Sequence, residues 1–127
     1  MSKSRSTVAI IGASDDRSKF GNKAVRAYQH LGWEIYPVHP TLTEVEGLRA
    51  YPNLDAVPER YLDRVLFYVP PKIGVGILDQ IPRKQVGEVW INPGAESPEL
   101  LQRAEELGLN VIQACSIVDV GESPGQY

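Results

Sequence analysis

The chain has 127 residues, of which 16 are acidic and 13 basic, for a formal net charge of −3. That length suits one domain burying about two-thirds of its unfolded surface, and the acidic balance excludes a general nucleic-acid binder, which is ordinarily strongly basic. A single cysteine excludes an intrachain disulfide and a cysteine-based metal cluster, and no apolar run reaches the length of a membrane span.

Residues 1–6 are polar and lead into no signal-peptide core, which together with the lone thiol makes the cytoplasm the expected compartment. Thr7-Val8-Ala9-Ile10-Ile11 is an unbroken run rich in β-branched residues, the pattern of a parallel strand covered on both faces. Gly12 ends it, and a polar loop leads to a helix predicted over 22–31, with Ala24, Val25, Ala27, Tyr28 and Leu31 at helical spacing and Gly32 as its stop. His30 falls in the last turn, where an exposed histidine is favoured by the helix dipole. A second strand is predicted over 33–38, closed by His39 and Pro40.

Residues 41–60, interrupted by Pro52 and Pro58, read as irregular. A third strand over 64–69 is broken by Pro70-Pro71, and a helix weakened by two glycines follows over 72–81. The fourth strand covers 86–91 and ends at Asn92-Pro93-Gly94. Ser97 suits the N-cap of a further helix, with Pro98 at its first position and Gly108 at its end. The fifth strand is placed over 110–114, and the remainder is expected to trail as an extended tail.

Strands alternating with helices predict an α/β, Rossmann-like three-layer sandwich around a five-stranded parallel sheet. Right-handed crossovers and two windings away from the first strand predict the order 3-2-1-4-5. The whole chain, 1–127, is expected to be one domain with short polar tails at both ends.

Ligands of such sheets bind outside the carboxyl ends of the strands. The first strand delivers the chain through a small-residue turn to a helix start, where unpaired N–H groups and the dipole favour an anion. Arg17 and Lys19 lie in that loop, with Lys23 and Arg26 just beyond and Asp15 and Asp16 partly offsetting them. The turn Gly12-Ala13-Ser14-Asp15-Asp16-Arg17 has only the first glycine of a dinucleotide fingerprint. No carboxylate follows the second strand to hold a ribose, since Glu34 lies at its other end. A P-loop pattern is absent as well.

Five stretches, in order, resemble the small stand-alone CoA-binding proteins, whose Rossmann-like domain also forms the nucleotide-binding part of the succinyl-CoA synthetase α subunit. They are Ile11-Gly12-Ala13-Ser14 with Lys19-Phe20-Gly21, then Tyr36-Pro37-Val38-His39-Pro40, Gly47-Leu48-Arg49-Ala50-Tyr51-Pro52, Phe67-Tyr68-Val69-Pro70-Pro71, and Trp90-Ile91-Asn92-Pro93-Gly94-Ala95-Glu96-Ser97. The family's usual second-strand segment reads Tyr-Pro-Val-Asn-Pro, so His39 departs from it. The resemblance implies that Gly12, Ala13 and Ser14 present backbone and hydroxyl groups to phosphate, beside Phe20 and Gly21 at the helix start. It also implies that Arg17 and Lys19 neutralise the ligand's phosphates. Val38, His39 and Pro40 would then flank the adenine, Val69, Pro70 and Pro71 would line the opposite wall, and Pro93 and Gly94 the fourth-strand loop. The implied ligand is CoA or an acyl-CoA.

No catalytic set emerges: His30 and His39 sit at opposite ends of one helix–strand unit, and the carboxylates have no metal or acid–base spacing. A small-molecule nucleotide binder without demonstrated chemistry is the expected class, acting without nucleic acid or membrane, as a homo-oligomer or with a protein partner. The alternatives are an NADP-type reductase with Arg17 and His39 on the 2′-phosphate, and a regulatory module that senses a nucleotide. Cys115, at the end of the fifth strand, reads either as a small residue filling the core edge or as a thiol within reach of CoA's own.

Overall fold

A computed structural model describes residues 5–127, so the polar segment 1–4 of the expected N-terminal tail lies outside the described residues. Five strands form one parallel sheet: β1 (Thr7–Ile11), β2 (Glu34–Val38), β5 (Tyr61–Phe67), β6 (Gln85–Ile91) and β7 (Val111–Gln113). Helices α1 (Phe20–His30), α2 (Pro71–Ile77) and α3 (Pro98–Glu106) occupy the crossovers. The helix expected over 72–81 divides, because Pro82 and the glycines favour a tighter 3₁₀ segment, Leu78–Arg83, after α2. Ser97 caps α3 as its position suggests, its Oγ accepting from the Leu100 N–H at 3.1 Å.

The side chains of β1 alternate between the two layers. Val8 and Ile10 pack with Ala24, Val25 and Tyr28 of α1, whereas Ala9 and Ile11 face Leu78, Ile81, Leu100 and Ala104. Covering both faces accounts for the unbroken apolar run of the first strand. Complete burial of side chains such as Tyr28, Phe67 and Leu100 contributes about 1.5–3 kcal/mol each.

The order along the sheet is β2-β1-β5-β6-β7, which corrects the expected 3-2-1-4-5 to 2-1-3-4-5. The third large strand pairs with β1, Ile11 opposite Phe67, instead of lying outside β2. Pro37 explains why. The Tyr51 N–H donates to the Pro37 carbonyl at 2.9 Å from outside the sheet, so the N–H that proline lacks would face that outer edge. A proline there suits an edge strand and breaks the ladder of a central one. Residues 39–60, moreover, supply no crossover helix. They form a short antiparallel hairpin, β3 (Glu44–Val45) with β4 (Leu48–Arg49), a bridge from Val38 to Tyr51 and a 3₁₀ turn, Leu54–Ala56. The edge of β2 is thereby covered, and the chain returns to β1.

The expected extended tail is also corrected. Residues after β7 fold back as α4 (Ser116–Asp119) and a final 3₁₀ turn, Pro124–Gln126. Ser116 and Ile117 are fully buried. The Ser116 N–H and Oγ both donate to Asn92 Oδ1 at 2.9 Å, and Asn92 Nδ2 donates to the Phe67 carbonyl at 3.1 Å. With its one hydrogen committed to Asn92, Ser116 Oγ accepts from the Tyr68 hydroxyl at 2.7 Å. The ends of β5 and β6 are thus tied to the start of α4.

Candidate functional site

The chain reverses direction between β1 and β5, so the loops after these two strands part and leave a crevice at the carboxyl end of the sheet. Two glycines set its floor. Gly12 has φ +90°, and a Cβ there would lie 2.7 Å from the Tyr68 carbonyl oxygen; a Cβ on Gly21 would lie 2.1 Å from the Gly12 oxygen. The start of α1 therefore rests directly on the end of β1, with Gly21 serving the close helix–strand approach that the missing fingerprint glycine would otherwise provide.

Lys19 is the N-cap residue of α1, its side chain makes no capping bond, and no acidic residue occupies the first turn. Among the described residues nothing accepts from the N–H groups of Phe20 and Gly21. These orphan donors and the helix dipole face the crevice mouth.

The crevice has two adjoining parts, of about 540 and 410 Å³, which share Gly12, Lys19, Tyr68, Val69 and Pro70. Of the residues singled out by sequence, Gly12, Ala13, Ser14, Lys19, Val38, His39, Pro40, Val69 and Pro70 line the larger part. Phe20, Gly21, Pro93 and Gly94 line the smaller one. Two are elsewhere. Pro71 is the first residue of α2 and lines neither part.

Arg17 is the second. Its guanidinium points to the tip of the β3–β4 hairpin, where Nη2 and Nε meet Glu46 Oε1 and Oε2 at 3.0 and 3.2 Å. The Glu46 carboxylate also accepts from buried Asn22 at 2.9 Å. Hydrogen bonds from Arg17 and Asn22 hold the Glu46 carboxyl below its ordinary value. Asp16 turns back on its own loop, accepting from the Ser18 hydroxyl and N–H at 2.7 and 3.0 Å, bonds that lower its pKa as well. Among the described residues Lys19 is left as the one fully charged side chain lining the crevice, and no carboxylate among them lines it.

Sequence reasoning missed the wall that residues 52–54 form with the α2 segment. Pro52, Asn53, Leu54, Ile73, Ile77 and Gln80 enclose the larger part, and the Gln80 side-chain oxygen accepts from the Leu54 N–H at 3.0 Å. Pro52 and Leu54 belong to the segment that, with Pro58, resembles the family's connecting loop, which was the signal available. Tyr68 was missed too, although an aromatic with a polar tip at the end of an apolar strand could have marked it. Burial raises the pKa of its hydroxyl.

His39 shapes the turn beside the crevice. Its Nδ1 accepts from the N–H groups of Thr41 and Leu42 at 3.1 and 3.0 Å, so in the neutral ring that network assigns the proton to Nε2. Cys115 is half-buried, packs against the α1-side core, and lines neither part of the crevice. No group of three or more His, Cys, Asp or Glu residues suited to a metal occurs among the described residues, and no helix there is long and apolar enough to cross a membrane.

A family model described as a CoA binding domain matches residues 6–121. The ADP-forming acetate–CoA ligase I of Archaeoglobus fulgidus is 30% identical over 115 residues, covering 83% of this chain and 17% of the ligase. YneT, an uncharacterized Bacillus subtilis protein, is 27% identical over 105 residues, covering 83% of this chain and 77% of its own length. The solved structure of a conserved hypothetical protein from Pyrococcus furiosus superposes with a TM-score of 0.80 at 30% identity, over 91% of this chain and 99% of that one. The chain thus spans about a sixth of the ligase and most of the two small proteins.

Proposed function

The chain belongs to the family of CoA-binding domains, and on that premise we propose that it binds CoA or an acyl-CoA in the crevice between the β1 and β5 loops without itself catalysing a reaction. The observation that carries this reading is the junction at Lys19. A lysine, the free N–H groups of Phe20 and Gly21 and the α1 dipole converge where both parts of the crevice meet. That arrangement suits a pyrophosphate, which needs donors and positive potential from more than one side.

The larger part, walled by Pro40, Pro52, Leu54, Ile73 and Ile77, suits a purine, which prefers apolar faces. The smaller part, between Phe20 and Pro93-Gly94-Ala95, is left for the pantetheine arm and any acyl group. A dinucleotide reading lacks support at β2, where Glu34 lies at the far end and accepts from the Tyr36 hydroxyl at 2.5 Å. The expected setting is the cytoplasm, with a free nucleotide as ligand.

Native mass spectrometry of freshly purified protein, followed by calorimetric titration with CoA, acetyl-CoA and NADPH, tests the proposal. A co-purified CoA mass or saturable binding of CoA supports it. Tighter binding of NADPH than of either CoA species would replace it with the reductase reading.

A further inference from the structure

We propose that His39 is the residue that recognises the phosphate monoester at the nucleotide end of the ligand, and that it does so as an N–H donor while also capping the turn behind it. The proposal rests on the CoA reading above and specifies one contact within it.

An asparagine at this position would cap the turn through its carboxamide oxygen, since such side chains accept from backbone N–H groups two residues on. His39 reproduces that bond pattern with Nδ1, which accepts from Thr41 and Leu42 at 3.1 and 3.0 Å. The imidazole then carries its hydrogen on Nε2, on the opposite side of the ring and farther from the backbone than an asparagine amide reaches. His39 is only part-buried and lines the larger part of the crevice, and no protein group among the described residues accepts from Nε2.

The charges around the crevice leave this donor a specific task. CoA carries a pyrophosphate and, on its ribose, a phosphate monoester. Lys19 stands at the junction with the helix start, where the pyrophosphate is placed. Arg17, the nearest alternative cation on the loop, is held by both carboxylate oxygens of Glu46. The remaining charged or titratable side chains lining the larger part are those of His39 and Tyr68, and the Tyr68 hydroxyl is donated to Ser116. Ser14, Asn53 and Gln80 line the same part with neutral hydroxyl and amide donors. Among the described residues His39 is the titratable side chain with a free donor beside the adenine-sized, apolar part, where the proposed pose puts the monoester of a bound CoA.

The test is calorimetric titration of wild type, His39→Asn and His39→Ala with CoA and with dephospho-CoA, which lacks the monoester. Wild type is expected to prefer CoA by about tenfold, the scale of one hydrogen bond to a charged group. His39→Asn keeps the turn cap, so its thermal midpoint should match wild type. Its preference for CoA over dephospho-CoA should collapse. His39→Ala loses the cap as well and should melt earlier. Equal wild-type affinities for the two ligands, or a His39→Asn protein that keeps the preference, would overturn the assignment. Failure of wild type to bind either ligand would instead overturn the CoA reading itself.

Discussion

Arg17 and Glu46 hold each other across the surface between the phosphate-side loop and the hairpin tip, two nitrogens on two oxygens at 3.0 and 3.2 Å. Glu46 sits at φ +50° beside Gly47 at +80°, the left-handed pair of a tight hairpin turn. The turn thereby carries its carboxylate to Arg17 and Asn22. A residue that sequence assigns to the ligand is thus engaged by the protein, and Lys19 remains as the cation of the crevice.

Two substitutions separate these roles. Arg17→Ala should change CoA affinity by less than about twofold, the effect of a distant exposed charge, whereas Lys19→Ala should weaken it by about 1–3 kcal/mol, a lost charge-assisted hydrogen bond. Calorimetry measures both. A larger loss at Arg17 than at Lys19 would mean that the guanidinium leaves Glu46 to meet the ligand.

The approach of α1 to β1 is predicted to tolerate no side chain at Gly21. A Cβ there would lie 2.1 Å from the Gly12 carbonyl oxygen, and both atoms belong to backbone held at the strand end. Gly21→Ala should destabilise the fold by about 1–3 kcal/mol, the usual range for overpacking, and weaken CoA binding by displacing the helix start. Gly76→Ala, with open space around it and in a helical position, is the control and should be neutral or slightly stabilising. Urea denaturation of the two variants gives the comparison.

The Glu46 carboxyl titrates lower in the folded chain than an unperturbed carboxyl does. A lowered folded pKa gives stability that is full above the ordinary value of about 4.3 and is lost as the pH falls through the folded one. Arg17 is 66% exposed, so solvent screening keeps the pair's contribution small. Wild type should melt about 2 °C above Glu46→Gln at pH 7, and the gap should close as the pH drops below about 4. A gap that persists or widens in acid would assign the effect to packing instead of charge.

The succession of strands and helices was legible in sequence because it rests on local signals: the apolar run ending at Gly12, the helical spacing of Ala24, Val25 and Tyr28, and the Ser97-Pro98 cap. Most of the crevice followed, since loops at strand ends lie where alternation puts them. The strand order did not, although Pro37 carried the clue: a proline's missing donor restricts the strand only once its outer edge is known. The fate of residues 116–127 likewise depended on distant partners, because Ser116 is buried by Asn92, Tyr68 and Tyr28, none of them near it in the chain. Arg17 and His39 divide the same way. Sequence placed both beside the ligand by proximity to strand ends. Tertiary contacts gave Arg17 a carboxylate 29 residues away and left His39 a free Nε2, since a side chain's direction is decided by the partner that folding brings to it.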